Sequence, residues 1–374
     1  MQIKFKKTPE QVELIKAMVQ KNRVAAAEAQ ETFAELVGPE LEKVILQADT
    51  TGNFFERFEF DEGSTPTLPI DPFLDYRDNT LSVWSQENAG GLPRNHVYRP
   101  QTEIQFTTWN LDSAVSWEKK YNKLARLDVI GGYMTMLTQE ILLKTMNNAW
   151  ATILTGLANA SHTVNGTAKK HIFRATSAGT FTMDELNAWF TLVRRLNTSW
   201  AGGSAVGANS YGLTDLYCSP EFVEKIRKFS YNPINTAGSS ALAAPDAARA
   251  NLFNTAGIEN FMGVNLHIMQ ELGVGQPYSL IFDEAAGATT YARRDGSNAA
   301  AFDGAAEDIV IGINAGVSFA KRPVEVSDPE DNPQTFVLQP DDQFLARSGT
   351  VGQYGKMSVG HLLLSTRPIT GFIL

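Results

Sequence analysis

A phosphate-binding loop needs glycines that let backbone amides close on the anion, a lysine behind them and a hydroxyl for magnesium. The segment Gly352-Gln353-Tyr354-Gly355-Lys356 has the closing glycine and lysine, but Thr350 stands at the first glycine position and Met357 replaces the hydroxyl. Nucleotide binding is therefore not expected there. Gly273-Val274-Gly275 lacks the third glycine and following helix of a dinucleotide fingerprint, so a turn is expected. Ala208-Asn209-Ser210-Tyr211-Gly212 approaches the G-x-S-x-G elbow of serine hydrolases, but no strand-to-helix elbow is expected around Ser210, which leaves a surface loop. His96, His162, His171, His267 and His361 show no i,i+3 or i,i+4 pairing and no nearby carboxylate constellation, so no metal site is expected. Cys218 with His267 would make a thiol–imidazole pair, yet a lone cysteine in an apolar run is more economically a small buried hydrophobe. Trp84, Phe106 and Trp109 have rings that stack on nucleic-acid bases. Only Arg94 and Arg99 lie among them, too few for a nucleic-acid track, so burial against another chain is expected instead. Catalytic, cofactor and metal sites are all expected to be absent.

Bulk composition bounds the function classes without choosing among them. The chain has 374 residues, 43% hydrophobic and only 20% charged, enough for two or three compact units. A net charge of −9 argues against wholesale coating of a polyanion. The single cysteine rules out an intramolecular disulfide and suits a reducing cytosol. The start MQIKFKKTPEQVELIK has no apolar core or cleavage site of a secretory signal. No apolar run approaches a membrane span; residues 309–320 are broken by Gly312, Asn314, Gly316 and Ser318.

The elements follow from pattern. Thr8 caps a helix with Pro9 at its first position, and Val12, Ile15, Met18 and Val19 form its apolar stripe. Residues 1–23 hold six Lys or Arg against Glu10 and Glu13, a mildly basic segment that a solvated helix face explains. Residues 25–47 are helical, and Gly38-Pro39 predicts two helices with a break. At Asp49-Thr50-Thr51-Gly52 the composition shifts to extended signals: Phe54, Phe55, Phe58 and Phe60, then Pro66, Pro69 and Pro72. Residues 103–111 alternate as a half-buried strand, whose natural partner is the Phe-rich strand. Together these predict a long hairpin with Gly90, Gly91, Pro93, Arg94 and Asn95 at its tip, and a loop of that length needs a surface to cover it.

A helix over 124–157 follows, with Leu127, Ile130, Met134, Leu137, Ile141 and onward at threes and fours. Thr182 and Glu185 form a capping box for the next helix. Downstream the pattern turns mixed. Strands are expected at 213–218, 265–268, 278–282 and 309–313, a short helix at 221–228, and closing strands within 359–373. Gly-, Ala-, Ser- and Asn-rich loops lie between, notably over 237–250.

An N-terminal helical arm, a long two-stranded loop, a spine helix and then an α/β domain, in that order, resembles the HK97-like major capsid proteins of tailed double-stranded DNA bacteriophages. Local phrases are similar too: Leu127-Asp128-Val129-Ile130-Gly131-Gly132-Tyr133, Phe261-Met262-Gly263-Val264-Asn265, and Tyr354-Gly355-Lys356-Met357-Ser358-Val359-Gly360-His361. The resemblance implies an α+β HK97-like capsid fold with an arm at 1–52, an E-loop at 53–111 and a P-domain with its spine helix at 112–208. It further implies an α/β A-domain at 209–324 and a return segment at 325–374. It implies self-assembly into pentamers and hexamers of an icosahedral shell, with A-domain loops near 232–250 at the symmetry axes. Scaffolding, portal and decoration proteins, and packaged DNA held without sequence specificity, are the other implied partners. The location implied is a virion capsid built in the host cytoplasm. Intersubunit contacts are expected at Trp84, Arg94, Phe106 and Trp109, with the arm and loop ordered only by neighbouring copies. No lysine lies between Lys43 and Lys119, so the isopeptide crosslink some relatives make from an E-loop lysine is not expected. An encapsulin-like cargo compartment and a soluble hydrolase using Ser210 are the alternatives.

Overall fold

The computed structural model describes residues 8–65, 67–69, 103–164, 167–175, 181–200, 212–231, 260–261, 263–293, 300–316, 318–327, 334–341 and 349–374. They fall into two compact units, the first drawn from Met1–Leu68, Glu103–Ala149 and Ala320–Leu362, the second from Pro69–Thr102, Trp150–Phe319 and Leu363–Leu374.

In the first unit, helix α1 (Pro9–Ala17) starts where its cap predicts, with the Gln11 amide donating to the Thr8 hydroxyl at 3.4 Å. Helix α2 runs unbroken over Arg23–Ala48, so the expected break at Gly38-Pro39 does not occur. Pro39 removes one helical donor and costs about 3 kcal/mol. The stripe Phe33, Val37, Leu41 and Ile45 continues through it at four-residue spacing and is buried throughout. At about 1.5–3 kcal/mol per buried side chain, that face outweighs the defect. The arm also departs from expectation. Ile15 and Met18 are 1% and 2% exposed within the same core as the α2 stripe, so α1 is covered by its own unit rather than waiting for a neighbour. Its apolar stripe meets that of α2, and the Gln30 amide closes the corner by donating to the Met18 carbonyl at 3.2 Å.

Strand Thr350–Val359 is the centre of this unit's sheet. It is antiparallel to Trp109–Glu118 along its whole length and to Phe336–Pro340 on the other side. Strand Ala320–Val326 joins it at Val324, and carries Phe55–Asp61 in parallel. The Phe-rich strand is therefore not the ladder partner of 103–111. Thr67–Pro69 pairs with Glu103–Gln105 instead, while Phe58 meets Phe106 only ring to ring, 5.9 Å between centroids. A seven-residue parallel ladder with a distant strand has displaced the local hairpin. The short helix α3 (Lys119–Lys123) leads into α4 (Leu127–Asn159), 33 residues and about 50 Å long. Leu127, Ile130, Met134, Leu137 and Ile141 of α4 pack on this sheet's core.

The second unit's sheet runs Ile172–Arg174, Ile369–Ile373, Ile309–Ile313, Asp215–Cys218, Val264–Ile268, Asn260–Phe261. Three interior strands, Ile369–Ile373, Ile309–Ile313 and Asp215–Cys218, are buried at every residue, as expected of strands covered on both faces. Leu157 of α4 lies over Gly371, and Trp189 of helix α5 (Met183–Trp200) lies over Gly312. The capping box forms as expected, Glu185 accepting from the Thr182 amide and Thr182 from the Glu185 amide. Helix α6 spans Pro220–Tyr231. Residues 278–282, expected as a strand, lie in helix α7 (Pro277–Ala286). Pro277 at the first helical position and the spacing of buried Tyr278, Phe282 and Ala286 carry the helical signal that the short apolar run obscured.

Glycine marks close approach in the first unit. A Cβ on Gly355 would lie 2.8 Å from the Phe336 ring and 3.1 Å from Leu137, whereas one on the exposed Gly132 of α4 would meet nothing within 4 Å. Gly355→Ala should destabilise the chain by about 1–3 kcal/mol in urea unfolding, and Gly132→Ala should stabilise it by up to about 1 kcal/mol.

Candidate assembly surface and buried polar clusters

Where α2 ends, Asp49 caps the 3-10 turn Thr50–Asn53, accepting from the Thr51 amide at 2.9 Å and the Thr51 hydroxyl at 2.6 Å. Its other carboxylate oxygen accepts from Arg322, whose guanidinium also donates to the Thr51 hydroxyl and, through Nε, to Nε2 of His361 at 3.2 Å. Arg322 and Asp49 side chains are 8% and 5% exposed. The guanidinium lies over the Phe55 ring, and His361 is set between Phe55 and Trp109 at 5.1 and 5.9 Å. Because Arg322 donates to Nε2, the His361 proton sits on Nδ1. Burial, reinforced by the Arg322 charge, pushes the His361 pKa down to about 3, so it is neutral at ordinary pH. A cavity of about 310 Å³ opens beside this cluster, lined by Ile45, Phe55, Leu142, Val324 and Met357.

The second unit holds three further polar clusters. Asp215 accepts from His267 Nε2 at 2.8 Å, from the Thr214 hydroxyl at 2.6 Å and from Asn265 at 3.4 Å. Burial opposes its charge, but these donors outweigh it and hold its carboxyl below the usual range. An Asp–His pair is two-thirds of a catalytic triad, so the nearby nucleophiles matter. The Cys218 thiol is fully buried, is pushed up to about 12 by burial, and lies 3.8 Å from the His267 backbone carbonyl. The Ser219 hydroxyl caps α6 through the Phe222 amide and donates to the buried carboxyl of Asp308, whose pKa burial raises. Both are engaged in structure. Arg174 pairs with Glu307 and donates to the Ala300 carbonyl at 3.0 Å, tying the loop that carries Glu307 to the sheet edge.

The residues singled out from sequence are placed as follows. Trp84, Arg94, His96, Ser210 and the 232–250 loop lie outside the described residues. Phe106 is 6% exposed beneath Phe58, and Trp109 is half-buried at the start of its strand. Gly352–Lys356 is strand interior, its backbone in ladders on both sides. Gly273 and Gly275 adopt φ of +133° and +72°, as a turn requires. Cys218 is the buried hydrophobe expected. Among the described residues no group of three or more His, Cys, Asp or Glu gathers as metal ligands, and no helix is long and apolar enough to cross a membrane. The Asp49–Arg322–His361 cluster was missed. Asp49 lies in a turn signal, but nothing local links it to a residue 273 positions away.

No known family model and no curated protein matches the sequence. Among solved structures, the capsid of the cyanophage P-SCSP1u aligns over 87% of this chain and 88% of that one, with TM-score 0.51 at 12% identity. The chain has the HK97-like capsid fold. Weaker likenesses include the capsid of a native GTA particle, at TM-score 0.47 and 12% identity over 87% of this chain and 89% of that one. The SrpI encapsulin of Synechococcus elongatus PCC 7942 aligns at TM-score 0.44 and 10% identity over 85% and 84%.

Within this HK97-like fold, acid should loosen the first unit. A histidine held neutral in the folded state binds its proton first in the unfolded chain, so stability is full above about pH 6.5 and falls as pH drops toward 3. Urea unfolding should show a loss of about 2 kcal/mol between pH 7 and pH 5 that His361→Gln largely removes. Asp49→Ala should cost about 3–5 kcal/mol by stranding buried Arg322, and Asp49→Asn with Arg322→Met should recover most of it.

Proposed function

We propose that this chain is a structural subunit that self-assembles into an icosahedral capsid enclosing packaged double-stranded DNA, the major capsid protein of a tailed bacteriophage. The supporting observation is the likeness to the P-SCSP1u capsid, which spans nearly the whole of both chains. On this reading residues 1–52 are the arm, 53–111 the E-loop, 112–208 the P-domain with α4 as spine, 209–324 the A-domain and 325–374 the return segment. The chain forms pentamers and hexamers, works without turnover, and is made in the host cytoplasm before entering the virion.

The polar clusters serve this role by fixing the subunit's shape, since a shell needs every copy to present the same edges. Trp84, Arg94 and Trp109 contact a neighbouring copy, and Phe106 does so at the root of the loop, where only a small part of its ring is free. A subunit carrying −9 holds DNA on its inner face without sequence preference and without strong nonspecific attraction. Scaffolding, portal and decoration proteins complete the particle.

Size-exclusion chromatography and electron microscopy of the purified chain test this. Megadalton icosahedral shells are expected, and a monomer or small oligomer with measurable hydrolytic turnover would sink the proposal. Particles from infected cells should contain double-stranded DNA; a protein cargo in its place would assign the chain to a compartment instead.

A further inference from the structure

The cavity of about 310 Å³ beside the Asp49–Arg322 pair has an apolar wall of Ile45, Leu46, Phe55, Leu142, Val324 and Met357. These side chains come from α2, strand Phe55–Asp61, α4 and strands Ala320–Val326 and Thr350–Val359, all of the first unit. Close-packed interiors hold few spaces larger than a water molecule, and ligand pockets begin at about 300 Å³.

Charge selects the class of ligand. Arg57 pairs with Glu42 and Glu59, Arg322 with Asp49, and Lys321 with Glu56. Each of these cations is already matched, so an anionic ligand would have to displace a carboxylate. The hydroxyls are engaged as well. Thr145 donates to the Ile141 carbonyl at 2.9 Å, and Thr335 donates to Glu42 and accepts from Arg57 at 3.3 Å. Water and strongly polar ligands gain little from such a wall. An apolar ligand gains its full burial, and the Met357 thioether adapts to its shape. Benzene fits in about 150 Å³, so twice that volume takes roughly a dozen non-hydrogen atoms. Leu46 is 43% exposed and the Glu56 side chain 54%, which puts the entrance on their side.

We propose that this cavity binds a small uncharged apolar molecule, a medium-length alkyl chain or a fused aromatic ring, which enters past Leu46. The ligand ties the start of strand Phe55–Asp61 to α2 and α4. Because the wall exists only when these elements have come together, binding stabilises the folded first unit by mass action. The site needs no second copy and stands apart from the shell reading.

Photolabelling of the full chain tests it. An octanol carrying a diazirine, irradiated with the purified protein and mapped by mass spectrometry, should mark the cavity wall, foremost Leu46, Leu142 and Met357. The octanoate with the same diazirine should mark these residues at least about tenfold less, since its charge finds no partner there. Plain octanol should compete and should raise the melting temperature by at least about 3 °C. Naphthalene in its place tells whether rings or chains fit better, and competition by either supports the site. Leu46→Trp, which fills the entrance from an exposed position, should remove both effects, and Leu142→Phe, which fills the cavity from α4, serves if the first variant melts early. Label spread over the exposed Val24, Leu124, Met136 and Leu143 instead overturns the proposal whether or not either variant folds. So does equal labelling by the octanoate. Labelling of the dilute chain that disappears in assembled particles overturns it too, because a neighbouring copy then occupies the cavity.

Discussion

Closure of two separate sheets by the end of the chain is the constraint on which the rest of the molecule depends. Strand Thr350–Val359 lies between Trp109–Glu118 and Phe336–Pro340, and strand Ile369–Ile373 lies between Ile172–Arg174 and Ile309–Ile313. Until those last strands arrive, α4 has no finished sheet to bury its stripe against in either unit. Contacts of such sequence separation are costly in loop entropy, so folding is expected to be slow relative to local helix formation. The glycines within these strands, Gly355 and Gly371, leave room for α4 side chains, since a Cβ there would lie 3.1 Å from Leu137 and 3.2 Å from Leu157.

The buried polar pairs act on the same problem. Asp49 with Arg322 joins segments 273 residues apart, and Arg174 with Glu307 joins segments 133 apart. Their net contribution to stability is small, because desolvation offsets most of the attraction. Their effect on register is large, since a strand slipped by one residue leaves a charge buried alone. Ser219 and Asp308 do likewise at the start of α6, where the Asp308 backbone carbonyl also accepts from the amide of Leu374. Chemistry that resembles a catalytic constellation is thus spent on alignment.

Local rules carried much of the fold. The Thr8 and Thr182 caps, the α4 stripe and the Cys218 strand are all determined within a few residues, and the structure places them as their spacing implies. What failed did so where distant partners decide. Pro39 is tolerated because the α2 face is covered by segments far along the chain, and Phe55–Asp61 takes a parallel partner that no short-range pattern specifies. Tyr278–Phe282 is too short an apolar run for period to separate strand from helix, and Pro277 was the better guide. For the assembly surface, two of the four expected contact residues, Trp84 and Arg94, lie outside the described residues, and a third, Phe106, is largely claimed by its own chain.

The lone cysteine has a practical corollary. Cys218 is sealed in the second unit's sheet with a thiol that stays protonated at any pH used for conjugation. A cysteine engineered on the exterior would therefore be the sole thiol open to maleimide chemistry, giving one attachment point per copy for a dye, peptide or surface tether.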